Sequence, residues 1–275
     1  MVNILLWNVS KNDVRASIAQ LSKSLAVDIF IFIEPPPASD GIDLEAALNV
    51  GVTQKYHHVP AVGCTHIHVS SRLPVGQIAA SVAARRFAVY RLTRPKQPGV
   101  LIAAAHLLAK WPPPNSPENQ RSFAHDFSEF IRRAERKHKH TRTIVAGDLN
   151  MNPSDSGMVS ADGLHAVPSR AAAGLPTRNV NGTHKGPLFF NPSFSLWGDM
   201  AARPPGTTYL KVNIADCIFW SVFDQVLYRK DAAAFVDDGS LRIIDSDGFA
   251  SLRLNTGVPN QAISGHLPVF FTLKV

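Results

Sequence analysis

Cysteine and long hydrophobic runs are the features that this sequence has least of. Only Cys64 and Cys217 occur among 275 residues. Two cysteines are too few for a disulfide framework and cannot form a metal cluster alone, so we expect buried free thiols. No apolar run is long enough to span a membrane, and the first residues lack the basic stretch, apolar core and cleavage site of a signal peptide. These absences predict a soluble cytoplasmic protein with no membrane partner.

Acidic side chains are also in deficit. The 21 Asp and Glu residues face 28 Lys and Arg residues, which gives a formal charge of +7 and a pI near 9.6. Long-range attraction therefore favours polyanionic partners, nucleic acid among them. Part of the excess lies between Arg132 and Arg142, where basic residues at a predicted helix end are expected to complement the helix dipole. Contact with a polyanion is the alternative.

The sequence has no internal repeat, and its 20 prolines and 17 glycines are scattered without a period, which indicates many turns. With 45% hydrophobic residues the chain can bury a large core, so we predict one domain over residues 1–275. Apolar, β-branched segments predict strands. They lie at 2–7, 28–33, 66–70, 77–82, 86–93, 99–106, 142–147, 222–228 and 267–274, with shorter strands at 164–167 and 188–190 inside the loop-rich segment 155–206.

Two longer amphipathic stretches predict helices, at about residues 12–26 and 117–138. The second has Ser116 as a candidate N-cap and Pro117 at its first helical position. A strand, a helix and a strand at the beginning of the chain suit a β-α-β unit, whereas the later strands suit hairpins. We therefore predict a mixed, two-sheet α/β sandwich.

The segment from Ile144 to Pro153 carries the most informative local pattern. An apolar run ends at Gly147, and Asp148 and Asn150 follow two residues apart. Side chains at i and i+2 of an extended segment point to the same side, so a carboxylate and a carboxamide meet at a strand end. Gly147 permits a close backbone approach, and Pro153 stops the strand. The pattern suits a hard metal ion and a phosphate.

Polar side chains end four other apolar segments, at Asn8, Glu34, His106 and His266. Each alone is explained by the end of a hydrophobic pattern. Their recurrence at successive strand ends indicates a shared site. Short motifs around these positions span nearly the whole chain, and they are Trp7-Asn8, Phe32-Ile33-Glu34, His106-Leu107, Gly147-Asp148-Leu149-Asn150, Phe223-Asp224-Gln225 and Ser264-Gly265-His266.

In this order, the motifs resemble those of the endonuclease/exonuclease/phosphatase superfamily. That superfamily includes pancreatic-type deoxyribonucleases, apurinic endonucleases, inositol-polyphosphate phosphatases and neutral sphingomyelinases. The resemblance implies a four-layered α/β sandwich, with two packed mixed β-sheets flanked by helices and a site at the strand-end loops.

The resemblance also implies a metal centre. Glu34 would be the principal Mg²⁺ carboxylate, with Asn8 beside it as a ligand or network residue and Asp148 close to the ion. Mn²⁺ would be a substitute. A hard divalent ion prefers such oxygen ligands and keeps several waters, which leaves room for a phosphate oxygen.

Four further roles follow from the resemblance. Asp148 would position or deprotonate the attacking water, and Asn150 would hold that water or the phosphate. His106 would donate to a phosphate oxygen. His266 would be the closing catalytic histidine, with Asp224 as its orienting carboxylate.

The chain departs from the family at Gly265, where the usual Ser-Asp-His ending has its aspartate. Glycine has no side chain that can ligate a metal, so one-metal chemistry or weaker metal binding is expected rather than a fully acidic two-metal site. A pseudoenzyme that keeps only the fold is the alternative.

Two further groups of residues suggest weaker hypotheses. A substrate rim is predicted at four loop residues, whose alternative role is ordinary loop packing rather than stacking and phosphate contact. A zinc cluster is disfavoured at the histidines near residue 60, because two of them lie in a strand-like run and no second ligand pair has a recognised spacing. The rim residues are Arg178, Trp197, Arg203 and Tyr209, and the histidines are His57, His58, His66 and His68.

The leading functional prediction is Mg²⁺-dependent hydrolysis of a phosphodiester in nucleic acid, DNA or RNA. A second prediction is a phosphatase or phosphodiesterase that acts on a small or lipid phosphoester, since substrate choice depends on loops. A third is a nucleic-acid-binding protein whose catalytic site has decayed at Gly265.

Overall fold

The computed structural model describes residues 1–109, 116–200, 203–211 and 218–275. Three short 3-10 helices in these ranges cover Ala38–Asp40, Pro192–Leu196 and Lys230–Phe235. The strands and α-helices, in chain order, are β1 Val2–Asn8, α1 Arg15–Ser24, β2 Ile29–Ile33, α2 Leu44–Leu48, β3 His57–His58, β4 Ile67–Ser71, β5 Ile78–Ala84, β6 Phe87–Leu92, β7 Val100–His106, α3 Pro117–His138, β8 Thr143–Asp148, α4 Ser156–Val159, β9 Ala166–Val167, α5 Arg170–Ala173, β10 Arg178–Val180, β11 Thr183–Lys185, β12 Phe189–Phe190, β13 Thr208–Tyr209, β14 Trp220–Ser221, β15 Asp224–Arg229, β16 Val236–Ile243 and β17 Val269–Leu273.

Two large mixed sheets carry most of the strands. The first has the order β16-β17-β1-β2-β4-β3, and the second has the order β5-β6-β7-β8-β15-β12-β9. Strands β1 and β2 are parallel and joined by α1, which is the predicted β-α-β unit. Strands β7 and β8 are likewise parallel and joined by α3. The prediction of a mixed α/β fold with two sheets is confirmed.

Alternation along the strands separates the core into layers. Ile4 and Leu6 of β1 belong to a buried cluster with Ile102 and Ile144 of the second sheet, so this cluster lies between the two sheets. Because successive strand residues point to opposite faces, Leu5 and its alternate neighbours face the other way.

The outward faces of the two sheets are covered by helices. Leu5 packs in a second cluster with Ile18 of α1, and Val145 of β8 packs in a third with Phe127 and Ile131 of α3. The resulting order of layers is helix, sheet, sheet and helix, as the family resemblance implied. Each sheet buries both faces, which explains its nearly continuous apolar sequence.

Helix α3 begins and ends where the sequence predicts. The Oγ of Ser116 accepts a hydrogen bond of 3.2 Å from the backbone N of Asn119, and Pro117 is the first helical residue. Lys139 ends the helix in the left-handed region at φ 55°. Helix α1 is shorter than predicted, because Val14 provides no side-chain cap and Leu25 already leaves the helix.

Several elements were not predicted. Strand β16 escapes hydrophobic patterning because Asp237, Asp238 and Gly239 dilute its apolar residues, and it lies at a sheet edge. Helix α2 is one short turn, capped by the side chain of Asp43. The segment 155–206, read as loops with two short strands, also contains α4, α5 and the β10–β11 hairpin. Elements this short carry too few periods for a pattern to be detected.

The two cysteines differ from expectation in what the structure describes. Cys64 is a free thiol, but it is half-buried rather than buried because it ends a surface turn, where its backbone N bonds the carbonyl of Ala61. Cys217 lies outside the described residues. Within those residues, no helix has the length and apolar character needed to cross a membrane.

Candidate active site

The strand register brings the strand-end residues together. His106 at the end of β7 lies beside Asp148 at the end of β8, and Asp148 lies opposite Asp224 at the start of β15. In the first sheet, Asn8 ends β1 beside Ile33, which precedes Glu34. All these positions are at the same edge of the sandwich, so residues far apart in the sequence form one cluster.

Asp148 is the centre of this cluster and is 1% exposed. Its Oδ2 accepts a 2.7 Å hydrogen bond from Nδ2 of Asn8, and its Oδ1 accepts one of 2.9 Å from the backbone N of Asn150. The Nε2 atoms of His106 and His266 lie 3.9 Å and 4.0 Å from Oδ2. One carboxylate therefore faces two imidazoles.

His266 and Asp224 form a buried pair. Nδ1 of His266 and Oδ2 of Asp224 are 2.7 Å apart, and the Asp224 side chain is fully buried. Burial opposes the charged imidazole, but the carboxylates of Asp224 and Asp148 outweigh it and raise the pKa of His266 to about 9. Burial raises the pKa of Asp224 against the pull of His266. The pair shares one proton, and the more basic imidazole holds it.

Three of the hydrogen bonds that fix the loop carrying His266 are made to β1 and β13. Nε1 of Trp7 donates to the carbonyl of His266 at 2.8 Å, and Oγ of Ser264 donates to the carbonyl of Asn8 at 2.6 Å. Oγ1 of Thr208 donates to the carbonyl of Gly265 at 2.9 Å. These contacts connect the loop to β1 and β13, so the imidazole is held by elements that the sequence alone does not bring together.

His106 contacts Glu34 and also His66, a residue that sequence reasoning left out of the site. Its Nε2 lies 3.3 Å from Oε1 of Glu34, and its Nδ1 lies 3.3 Å from Nδ1 of His66. Burial lowers the pKa of His106, against the attraction of Asp148 and Glu34. The sequence suggested His66 and His68 as members of a disfavoured zinc cluster. In the structure the two side chains have different partners. His68 bonds Glu45 at 2.8 Å.

Asn150 has a backbone conformation suited to its type. Its φ of 51° lies in the left-handed region, which asparagine tolerates better than most residues. Its Nδ2 donates to the carbonyl of Leu107 at 2.9 Å, and its own carbonyl accepts from Nε2 of Gln120 at 2.7 Å. Two strand ends and α3 therefore position this residue.

Gly265 leaves a space that another side chain approaches. A Cβ added at Gly265 would lie 3.1 Å from Oε1 and 3.5 Å from Nε2 of Gln261. The missing aspartate is therefore replaced locally by an exposed carboxamide, not by a carboxylate. No sequence pattern marks Gln261, because its proximity depends on the turn between residues 260 and 264.

The donors present suit a hard divalent cation. Glu34 and Asp148 supply carboxylates that both approach His106. Asn8 uses its Oδ1 to accept from the backbone N of Ser10 at 2.9 Å and retains a second lone pair. In the described part of the chain, donor atoms of Asp148, Asp224 and His266 also lie within 4.8 Å of one another. Oxygen donors predominate, as Mg²⁺ and Mn²⁺ require.

The four predicted rim residues do not lie together. Tyr209 belongs to the β13–β14 hairpin, next to Thr208, which forms a bridge with His266. Trp197 donates from Nε1 to the carbonyl of Trp220 in the same hairpin at 3.1 Å. Tyr209 is thus one residue away from the bridge to His266, and Trp197 packs against the strand that pairs with Tyr209.

The other two rim residues are placed differently. Arg203 donates to the carbonyl of Ser195, so its guanidinium is used within a loop. Arg178 lies in the exposed β10–β11 hairpin, which is connected through Lys185 to Asp162 at 3.0 Å. No described contact joins Arg178 to the strand-end cluster.

The basic run from Arg132 to Arg142 lies far from the cluster. It forms the C-terminal end of α3, whose 22 residues extend about 33 Å from the end that contacts Asn150. A cavity of about 480 Å³ lies there, lined by Arg132, Arg136 and Lys139 among others. The position of the basic run is that expected of residues that complement the dipole at the C-terminal end of α3.

Comparisons with known proteins show the family and the fold. The model of the Endonuclease/Exonuclease/phosphatase family matches residues 5–247, so the chain belongs to that family. Its members are hydrolases that act on phosphoesters. The match ends before Gly265 and His266. A search of curated proteins found no match.

Solved structures show the same fold at low identity. An endonuclease/exonuclease/phosphatase family protein from Leptotrichia buccalis has 11% identity and a TM-score of 0.59, with 100% of both chains covered. TDP2 from D. rerio, complexed with a single-strand DNA product, has 15% identity and a TM-score of 0.54 over 100% of this chain and 99% of that one. The human Nocturnin catalytic domain with bound sulfate has 12% identity and a TM-score of 0.56 over 99% and 94%.

Proposed function

We propose that this protein is a Mg²⁺-dependent phosphodiesterase that hydrolyses nucleic acid, with Mn²⁺ as a substitute ion. The observation that carries the proposal is the buried Asp148 carboxylate, which faces the imidazoles of His106 and His266 at 3.9 Å and 4.0 Å. This arrangement supports a proposed role for Asp148 as the base for water and for the two imidazoles as donors to phosphate oxygens. The formal charge of +7 and the DNA product bound by the similar TDP2 structure support a nucleic-acid substrate.

Glu34, Asn8 and Asp148 are the residues proposed to hold the ion. When bound, it would polarise a phosphate oxygen and offset the charge that develops there. Glu34 is the most accessible of the three, with 28% of its side chain exposed. Its φ of 49° is a strained conformation for glutamate, which turns the side chain out of the strand direction at the site.

The remaining residues are proposed to position water and phosphate. Asp148 accepts the proton of a water that Asn150 orients, and the water attacks in line with the leaving oxygen. His266, kept charged by Asp224, donates to a phosphate oxygen or to the leaving group. His106, whose pKa burial lowers, donates as a neutral imidazole to a nonbridging oxygen.

A substrate panel tests this proposal. Purified protein is incubated with labelled single- and double-stranded DNA, RNA, bis-p-nitrophenyl phosphate and inositol phosphates, in Mg²⁺, Mn²⁺ or chelator. Metal-dependent cleavage of nucleic acid that collapses in Glu34→Ala, Asp148→Ala and His266→Ala is the expected result. Metal-dependent cleavage that persists in all three variants would overturn the assigned site.

The panel also separates the two alternatives. Hydrolysis of inositol phosphates without nuclease activity would identify a small-phosphoester hydrolase, since the same centre serves either substrate. Salt-sensitive nucleic-acid binding without turnover would identify a pseudoenzyme, and Gly265 is the residue that favours that outcome.

A further inference from the structure

Three cationic side chains lie around His66 at the border of the candidate active site. They are Lys11, Arg85 and Arg86, and none forms an ion pair with a carboxylate in the described residues. Burial, the charge of Arg86 and the neighbouring His106, Arg85 and Lys11 together lower the pKa of His66 to about 4. The charges of all three cations act on His66, and the carboxylates of Glu34 and Asp148 also act on Arg86.

The turn between β5 and β6 brings both arginines to this place. The backbone N of Thr65 donates to the carbonyl of Arg85 at 3.1 Å, and the backbone N of His106 donates to the carbonyl of Arg86 at 2.9 Å. Nη1 of Arg86 also donates to the carbonyl of His106 at 3.3 Å. The turn that carries both arginines is thus hydrogen-bonded to the strand end that carries His106.

Lys11 and His66 are both fixed to Glu34 through the backbone. The backbone N of Glu34 donates to the carbonyl of His66 at 3.1 Å, and the backbone N of Lys11 donates to the carbonyl of Glu34 at 2.9 Å. The backbone that carries the proposed metal carboxylate is therefore hydrogen-bonded directly to that of Lys11 and His66. Lys11 itself has a φ of 60°, a left-handed conformation that these bonds maintain.

Unpaired like charges so close together repel, and an anion between them removes that repulsion. The carboxylates of Glu34 and Asp148 attract Arg86, but neither reaches ion-pair distance. The distance from the catalytic centre is short, because Nδ1 of His66 is 3.3 Å from Nδ1 of His106. The anion that fits is one attached to the substrate, next to the group that reacts.

We propose that Lys11, His66, Arg85 and Arg86 form a second phosphate-binding subsite, which holds the phosphate adjacent to the scissile one in a polynucleotide strand. The inference rests on the proposed function and adds a substrate requirement. The protein would select chains with at least two neighbouring phosphates over compounds with one. Arginine forks and a lysine ammonium provide the charge-assisted donors for such a group.

The test compares substrates that differ by one phosphate. The dinucleotide TpT has one phosphodiester and the trinucleotide TpTpT has two. In the wild type, kcat/KM is expected to be more than about tenfold higher for TpTpT than for TpT. Arg85→Gln and Lys11→Gln are each expected to reduce this preference about fivefold, because each removes one charge-assisted contact. Both side chains are exposed, so the variants should fold.

Lys96→Gln is the matched control, because Lys96 is an exposed cation in the β6–β7 turn at the opposite end of the same sheet. Its ratio should equal that of the wild type. For a longer oligonucleotide, each subsite cation removed should lower the slope of log affinity against log salt by about 0.7. Unchanged ratios in both Arg85→Gln and Lys11→Gln would overturn the subsite.

A binding measurement keeps this inference separate from the proposed function. If the wild type cleaves none of the nucleic acids in the substrate panel with Mg²⁺ or Mn²⁺, the proposed function fails. The subsite is then judged by fluorescence anisotropy with labelled oligothymidine. An affinity about fivefold weaker in Arg85→Gln than in Lys96→Gln supports it, and equal affinities refute it.

Discussion

Asn8 donates a 2.7 Å hydrogen bond to Asp148, 140 residues further along the chain. The bond joins the end of β1 in the first sheet to the end of β8 in the second. Because both side chains are buried, the bond fixes the orientation of the carboxylate at the junction of the two sheets. Asp148 therefore depends on a partner that no local pattern predicts.

Asn8→Ala is expected to lower both stability and activity. Loss of a buried hydrogen bond that leaves a carboxylate oxygen without its donor costs about 1–3 kcal/mol of unfolding free energy. In addition, kcat should fall about a hundredfold, because the general base loses its orientation. Asn3→Ala is the control at the other end of β1, where Nδ2 bonds the carbonyl of Leu25. A normal kcat in Asn8→Ala would contradict the positioning role.

Asp224→Asn is expected to shift the alkaline limb of the pH–rate profile. His266 has a pKa of about 9, so its charged form persists well above pH 7 and activity should fall as pH rises through about 9. Without the Asp224 charge, burial lowers that pKa and the limb moves to lower pH. The kcat should also fall about 10²- to 10⁴-fold.

The same pair contributes to stability with a defined sign. Because folding raises the pKa of His266, its contribution is complete below the unfolded pKa of about 6.5 and is lost as pH rises through about 9. Denaturant unfolding at pH 6 and pH 10 measures this. Asp162→Asn removes a charge at an exposed ion pair with Lys185. As the control, it should leave unchanged both the pH–rate profile and the pH dependence of the unfolding free energy.

Gly265→Asp is expected to strengthen metal binding. It restores a carboxylate next to His266, and the affinity for Mg²⁺ measured by calorimetry should rise about tenfold. The new Cβ would lie 3.1 Å from Oε1 of Gln261, the end of an exposed side chain that can move. Combining it with Gln261→Ala removes that contact. Gly265→Asn adds the same volume without charge, and an equal gain in that variant would refute the ligand role.

Gly147→Ala is expected to destabilise the second sheet. A Cβ at Gly147 would lie 2.3 Å from the carbonyl oxygen of Ala105 on β7, and backbone cannot move aside as a side chain can. We expect a loss of about 3 kcal/mol or more in unfolding free energy. Gly239→Ala on β16 meets nothing closer than 4.0 Å and should be nearly neutral. Equal unfolding midpoints for the two variants would contradict this account.

Hydrophobic patterning predicted the long strands and α3, because these elements carry several periods of alternation or clear caps. It did not reveal β16, where acidic residues interrupt the apolar pattern, or α2, which is a single turn. The expectation that Gly147 permits close backbone approach is confirmed by its contact with Ala105. The catalytic roles assigned to the strand-end residues remain predictions.

The sequence by itself determined which residues end the strands, since a hydrophobic run must stop where the chain leaves the core. Asn8, Glu34, His106 and Asp148 were found in this way, whereas His266 lies in the loop before β17. The tertiary structure decided their partners. The contacts of His66 with His106, and of Gln261 with the space beside Gly265, depend on strand order and loop conformation. Neither property leaves a periodic signal, because each arises between segments that only the folded sheets bring together.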